Sequence, residues 1–232
     1  MGRKNHNSFK HISHETRKPE TKVGLKSYLI ACEGECTEPN YINGLVKHQK
    51  LIQKIAIGTE VVIVPHGATD PYGVLNELLN ISDKDRFDEF WIVIDRDEVE
   101  LKKKGYGGHT KENFNKAIDE SSKNGVNVAC SNPCFELWLV LHFEYRDTAC
   151  TRDDIQKKAL EKVNSILPDK QKMQKVDDLK ALENIYDLLK DKMPTARKYA
   201  EKLKENEIKH ENPSSGMYKF LNSLIGKYDN NF

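Results

Sequence analysis

Glu89-Phe90-Trp91-Ile92-Val93-Ile94 is an apolar run behind a single acid, and it stops abruptly at Asp95-Arg96-Asp97. A short run this apolar, rich in β-branched and aromatic residues, is a strand buried on both faces, and such strands belong to parallel sheets. Three neighbours repeat the pattern. Ser27-Tyr-Leu-Ile-Ala-Cys32 runs into Glu33-Gly34-Glu35; Glu60-Val-Val-Ile-Val-Pro65 runs into a loop from His66 to Gly73; Val126-Asn-Val-Ala-Cys130 precedes Asn132-Pro133. Between these strands lie segments of helical period. Thr37 can cap a helix with Pro39 in its first turn and Tyr41, Ile42, Leu45 and Val46 as its stripe. Val74 to Ile81 and Lys111 to Asn124 supply two more. Strand alternating with helix predicts an α/β fold: a parallel sheet flanked by crossover helices.

Beyond Pro133 the chain turns helical. Phe135 to Phe143 is apolar nearly all round and predicts a buried helix. Asp153 to Ile166, Asp177 to Lys192 and Thr195 to Ile208 are amphipathic and highly charged, and Met217, Phe220, Leu221, Leu224 and Ile225 mark a last helix. The predicted organisation is a flexible basic arm over residues 1–26, an α/β core over 27–150, and a helical C-terminal part over 151–232 packing on that core.

Composition narrows the class. A chain of 232 residues can bury a real core without staples. It lacks the ~18–20 consecutive apolar residues of a membrane span, and no apolar run follows its basic N-terminus as in a secretory signal. Five cysteines, an odd number, predict free thiols and a cytoplasmic location. The formal net charge is only +1 but is segregated: residues 1–26 carry seven Lys/Arg against two Asp/Glu, while residues 27–150 carry an acidic excess. Acidic centres attract divalent cations and basic arms attract phosphate backbones. Taken alone, the pattern is better explained by a solvated surface with a polar leader.

The carboxylates carry the chemistry. In parallel α/β sheets functional groups gather at the carboxyl ends of strands. Glu33 follows the first strand, and Asp95 and Asp97 follow the third. If the backbone stays extended through Arg96, both aspartates face one way. Like charges at ~4 Å cost about 4 kcal/mol in a partly screened medium. One carboxyl therefore takes a proton, or a divalent cation sits among them. Carboxylate and water ligands suit Mg²⁺ or Mn²⁺, which polarises phosphoryl oxygens and activates water. The competing reading is that acids after strands form turns and helix caps.

Three longer stretches then resemble the RloB family. They are Leu29-Ile-Ala-Cys-Glu-Gly-Glu-Cys-Thr-Glu-Pro-Asn-Tyr41, the more specific Ser131-Asn-Pro-Cys-Phe-Glu-Leu-Trp-Leu-Val-Leu-His-Phe143, and Asn212-Pro-Ser-Ser-Gly216 opening the last helix. The resemblance covers roughly residues 25 to 225. It implies a Toprim-like fold, in which a glutamate after the first strand and a D-x-D after the third hold the metal, here Glu33, Asp95 and Asp97. It also implies nuclease activity on RNA or DNA, a role in phage defence or abortive infection, and an AAA- or ABC-type ATPase partner.

The remaining candidates each have two readings. Glu136, the lone acid on an apolar helix, is a catalytic helper or a carboxylate serving the helix's first amides. Glu35, Glu38 and Glu98 hold an outer-shell water or are plain surface or helix-start acids. His142 reads as a core residue rather than a base. His66 and the loop residues Lys102, Lys103 and Lys104 contact a substrate backbone or are simply solvated. Cys32, Cys36, Cys130 and Cys134 have spacings at the edge of the zinc range, but Cys32 and Cys130 close apolar strands and read better as small core residues.

Two function classes stand: a Mg²⁺- or Mn²⁺-dependent nuclease, with Glu33 a candidate base, and a catalytically silent Toprim-like sensor or binding subunit of an ATPase complex. Homo-oligomerisation is compatible with either. Aspartyl phosphoryl transfer on Asp95 is a third option, although that chemistry usually follows a first strand.

Overall fold

A computed structural model describes residues 25–97 and 109–226. The arm and the Lys102 to Lys104 loop thus fall outside the described residues, apart from Leu25 and Lys26. Five strands form one sheet in the order β2-β1-β3-β4-β5. They are β1 Ser27–Cys32, β2 Glu60–Ile63, β3 Glu89–Asp95, β4 Val126–Asn132 and β5 Ser214–Ser215. The first four run parallel, with Ile30 opposite both Ile63 and Trp91, and Ile92 opposite Val128. The chain is therefore an α/β protein with a mostly parallel sheet flanked by helices, and several helices follow the last parallel strand.

The runs of β1 and β3 are buried on both sides, as central parallel strands are, whereas β2, at the sheet edge, is only partly buried. Alternate residues divide between two cores. Tyr28, Ile30, Cys32, Trp91 and Val93 face α1 (Thr37–Leu51), α4 (Glu136–Leu141) and α10 (Met217–Ile225). Leu29, Ala31, Ile92 and Ile94 face α2 (Pro71–Leu79) and α3 (Lys111–Lys123). The larger core continues into α5 (Arg152–Asn164), α6 (Val176–Lys180), α7 (Ile185–Leu189) and α8 (Met193–Lys202) through Ile155, Leu179, Tyr186 and Ala200. α9 (Lys204–Lys209) closes the helical series before β5.

This topology positions a crevice. The chain leaves β1 toward α1 on one face and leaves the adjacent β3 toward α3 on the other. Adjacent strands whose exits diverge open a gap at their carboxyl ends, where α/β proteins place their sites.

Four local expectations change. The continuous helix expected over 177–192 is two short helices, because Leu182 and Ile185 make i→i−3 turns to Leu179 and Leu182. The break seats Tyr186 edge-on against Tyr41 and lets its hydroxyl meet Gln49 and His48. The helix expected over 195–208 is likewise split at Leu203, which is buried. Thr37 is not the cap of α1: Cys36 holds that position, and the Thr37 hydroxyl donates to the Lys180 carbonyl at 3.4 Å. Asn212 to Gly216 does more than open a helix, since Ser214 and Ser215 add an antiparallel strand to β4. Gly216 lies so close to that strand that a Cβ would sit 3.0 Å from the Cys130 nitrogen.

Gly44 is a second close approach. A Cβ there would stand 2.6 Å from Tyr186 Cβ, where α1 meets α7. Alanine gains about 1 kcal/mol in helix propensity, but overpacking against an atom fixed to the backbone costs about 1–3 kcal/mol. Strain outweighs propensity, so Gly44→Ala should lower the urea midpoint at unchanged m-value; a raised midpoint would contradict this packing.

Candidate metal and phosphoryl site

The crevice holds a cavity of about 400 Å³, and Glu33, Asp95, Asp97 and Glu136 all line it. Glu33 and Asp95 are tied together directly. The Glu33 amide donates to the Val93 carbonyl at 2.9 Å, continuing the β1–β3 pairing, and Glu33 Oε2 accepts the Asp95 amide at 3.0 Å. The two chain segments that the sequence could only place near one another are thus in contact.

The two aspartates then diverge in role. Asp95 ends β3 and is buried; its Oδ1 accepts the Phe135 amide at 2.9 Å and its Oδ2 lies 3.3 Å from Arg152 Nη2. Burial raises its carboxyl well above the usual range, against the pull of Arg152, with Glu33, Glu38 and Asp97 adding to the rise. Asp97 is outside the strand. Its φ is +38°, a left-handed value that Asp tolerates better than most residues, and its amide donates to the Pro133 carbonyl at 3.2 Å. The extended path expected through Arg96 therefore stops short, yet the Asp97 carboxylate still meets Arg152. Arg96 stacks on Phe114 instead, 4.4 Å from the ring centre.

A residue outside every sequence motif completes the group. His109, just before the Thr110 cap of α3, places a ring nitrogen with Glu33 and Asp97 so that one ligand atom from each lies within 4.8 Å of the others. The His109 side chain is buried, and Nε2 lies 3.1 Å from the Arg96 carbonyl. Because a carbonyl only accepts, Nε2 carries the hydrogen in the neutral ring, which leaves the Nδ1 lone pair free. That Nδ1 has no hydrogen-bond partner and faces Glu33 Oε1 at 3.7 Å. A buried lone pair aimed at a carboxylate calls for a cation or a proton between them. The donor set therefore fits a metal ion, with Glu33, Asp97 and His109 as holders. Asp95, named with Glu33 and Asp97 from sequence, is engaged by the Phe135 amide and Arg152.

Glu136 and Glu38 form the other wall. Glu136 is buried in the first turn of α4, but the carboxylate that accepts the Phe135 amide is that of Asp95. The Gln156 amide meets Glu136 Oε1 at 3.4 Å through its nitrogen; turned over, its oxygen accepts from Arg152 Nε and Lys180 Nζ at 3.3 Å. Glu38 is a buried acid, not a surface one. Desolvation first, then the charge of Glu136, pushes its carboxyl up to about 7. Glu35 is exposed at the cavity mouth, and Glu98 lies outside the described residues.

Other candidates settle elsewhere. His66 is exposed in the loop after β2, where Thr69 rather than His66 lines the cavity. His142 is a core residue: Nδ1 meets the Trp138 carbonyl at 2.9 Å, Nε2 meets the Tyr41 hydroxyl at 3.0 Å, and burial pushes its pKa down to about 4. All five cysteines are free thiols, and none joins the metal-capable group found among the described residues. Burial raises the thiols of Cys32, Cys130 and Cys134, which suits small core residues.

A family model described as RloB-like protein matches residues 28–224, from within β1 to within α10. The chain belongs to the RloB-like family. Nothing among the curated proteins or the solved structures matches it. The RloB-like match spans every strand and the whole cavity, so the family likeness first visible in three short motifs extends over nearly the full described chain. Among the described residues, no helix is long and apolar enough to cross a membrane.

His109 and Arg152 had no signal a reader of the sequence could weigh. His109 is 12 residues beyond Asp97, and Arg152 lies just before the charged helix expected over Asp153 to Ile166, which it in fact opens. Glu38 was visible, but a first-turn acid is ordinary helix chemistry until its burial is known.

Proposed function

We propose that this RloB-like chain is a metal-dependent phosphodiesterase acting on nucleic acid. The observation that carries the reading is the unpartnered, buried His109 Nδ1 held with Glu33 and Asp97 at the end of β1 and β3. Imidazole in the donor set favours Mn²⁺ over the Mg²⁺ that an all-oxygen site prefers. Such an ion, when bound, polarises a phosphoryl oxygen and lowers the pKa of water. The chain's own groups do the rest. Glu33, Asp97 and His109 hold the ion; Asp95 fixes Arg152 and the start of α4; Arg152 offers a guanidinium to phosphate. Glu38, with its carboxyl near 7, can exchange a proton at neutral pH. Lys102 to Lys104 and the basic residues of the arm are assigned to the substrate backbone.

The setting we propose is antiviral defence, alongside an ATPase of the AAA or ABC type. The alternative of a silent sensor subunit gains from one observation: the first acid of D-x-D is already engaged on both oxygens. Incubating the purified full chain with end-labelled RNA and DNA, with and without Mn²⁺, separates the two. Cleavage that needs Mn²⁺ is the expected result. Intact substrates, together with tight binding to an ATPase, would replace the enzyme with the silent subunit.

A further inference from the structure

Asp97 belongs to the metal-capable group and is also paired with Arg152. Its carboxylate belongs to the three-residue group with Glu33 and His109, and its Oδ1 also accepts from Arg152 Nη1. Arg152 is the first helical residue of α5, and its other terminal nitrogen stands 3.3 Å from Asp95 Oδ2. Asp95 is in turn fixed by the Phe135 amide. One arm of the guanidinium fork thus rests on an acid held by a backbone amide, and the other on an acid of the metal-capable group.

A divalent ion at Glu33, Asp97 and His109 would draw on the carboxylate that neutralises Arg152, and two cations sharing one carboxylate repel. Linkage makes the cost mutual: the ion weakens the Arg152–Asp97 pair by the factor by which that pair weakens the ion. The arm released is a planar pair of N–H donors beside the site, and phosphate oxygens match that fork.

We propose that Arg152 is a resident counter-cation: it holds Asp97 until a divalent ion takes that carboxylate, then pivots on Asp95 and turns its freed N–H groups to the substrate phosphate. This rests on the metal-dependent reading above. It makes Arg152 a positioning group that couples ion loading to substrate binding, so that an empty site does not present a free guanidinium to nucleic acid.

The test uses Mn²⁺ alone, titrated into the full chain and followed by the electron paramagnetic resonance signal of the free ion. Arg152→Gln should bind Mn²⁺ about tenfold tighter than the wild type. Arg152→Lys, which keeps the charge, should stay near wild type. Equal or weaker binding by a folded Arg152→Gln, with saturable uptake by the wild type, overturns the counter-cation role and leaves the metal site standing. No uptake by the wild type overturns the metal reading itself. A measurement on the wild type guards against a variant that does not fold. The Arg152 Nε–Hε resonance, assigned by its loss in Arg152→Lys, should move as Mg²⁺ is added; a resonance that stays in place through saturation overturns the pivot.

Discussion

Glu33→Gln and Asp97→Asn should each lower Mn²⁺-dependent cleavage by about 10³-fold or more, because a bound ion supplies several kcal/mol of transition-state stabilisation and each 1.36 kcal/mol is tenfold. Both changes keep shape and remove charge. Gln at 33 can still accept the Asp95 amide, which Glu33 Oε2 now takes at 3.0 Å, so the β1–β3 junction should survive. It loses the negative charge facing His109. Asn at 97 keeps one oxygen for Arg152 but loses its pull on a hard cation. The measurement is single-turnover cleavage of labelled RNA or DNA, with circular dichroism to confirm folding. Near-wild-type rates in both folded variants would remove Glu33 and Asp97 from the chemistry.

The second large effect concerns stability and has a definite pH window. Glu38 is buried beside Glu136, and its carboxyl is raised from about 4.5 to about 7. Below pH 4.5 the group is protonated whether folded or unfolded and has no pH-dependent effect. As pH rises from 4.5 to 7 the unfolded chain releases the proton first, so stability falls, by on the order of 3 kcal/mol in all. Glu38→Gln removes that penalty. It should make the metal-free protein more stable by on the order of 3 kcal/mol at pH 8, with little change near pH 4.

His142 runs the other way. Its pKa is lowered from 6.5 to about 4 by burial, so its neutral form supports the fold above 6.5, and that support is lost as pH falls toward 4. In the wild type the two slopes oppose one another between 4.5 and 6.5. In Glu38→Gln the opposing Glu38 slope is gone, so stability should fall further on acidification from pH 6.5 to 5 than it does in the wild type. Urea unfolding at pH 5, 6.5 and 8 reads both effects. If wild type and Glu38→Gln are equally stable at pH 8, the carboxyl is not held against its charge. A variant that is more stable but slower would show what the site gives up in stability to keep an ionisable group in a dry place.

Much of the frame was readable because its signals are local. Four apolar runs, each cut off by acids, turn residues or an Asn-Pro, announce parallel strands, and the helical period between them announces crossovers. Glu33 and the Asp95–Asp97 pair stand out because they terminate such runs, and sheet topology brings runs of this kind together at one edge. The breaks at residues 181–184 and at Leu203 were not readable, because the apolar stripe continues through both. Tyr186 meeting Tyr41, Gln49 and His48 decides the first, and that is a contact between distant segments.

The sequence by itself determined the α/β architecture, the family, and the acids that border the crevice, since hydrophobic period and strand-end chemistry are written in consecutive residues. Only the tertiary structure decided that His109 joins Glu33 and Asp97, that Asp95 anchors Arg152, and that Glu38 is buried against Glu136. Those outcomes depend on which side chains lose their water and which lone pairs face each other. Both are set by packing between segments as far apart as Asp97 and Arg152, 55 residues along the chain, and no local pattern encodes them.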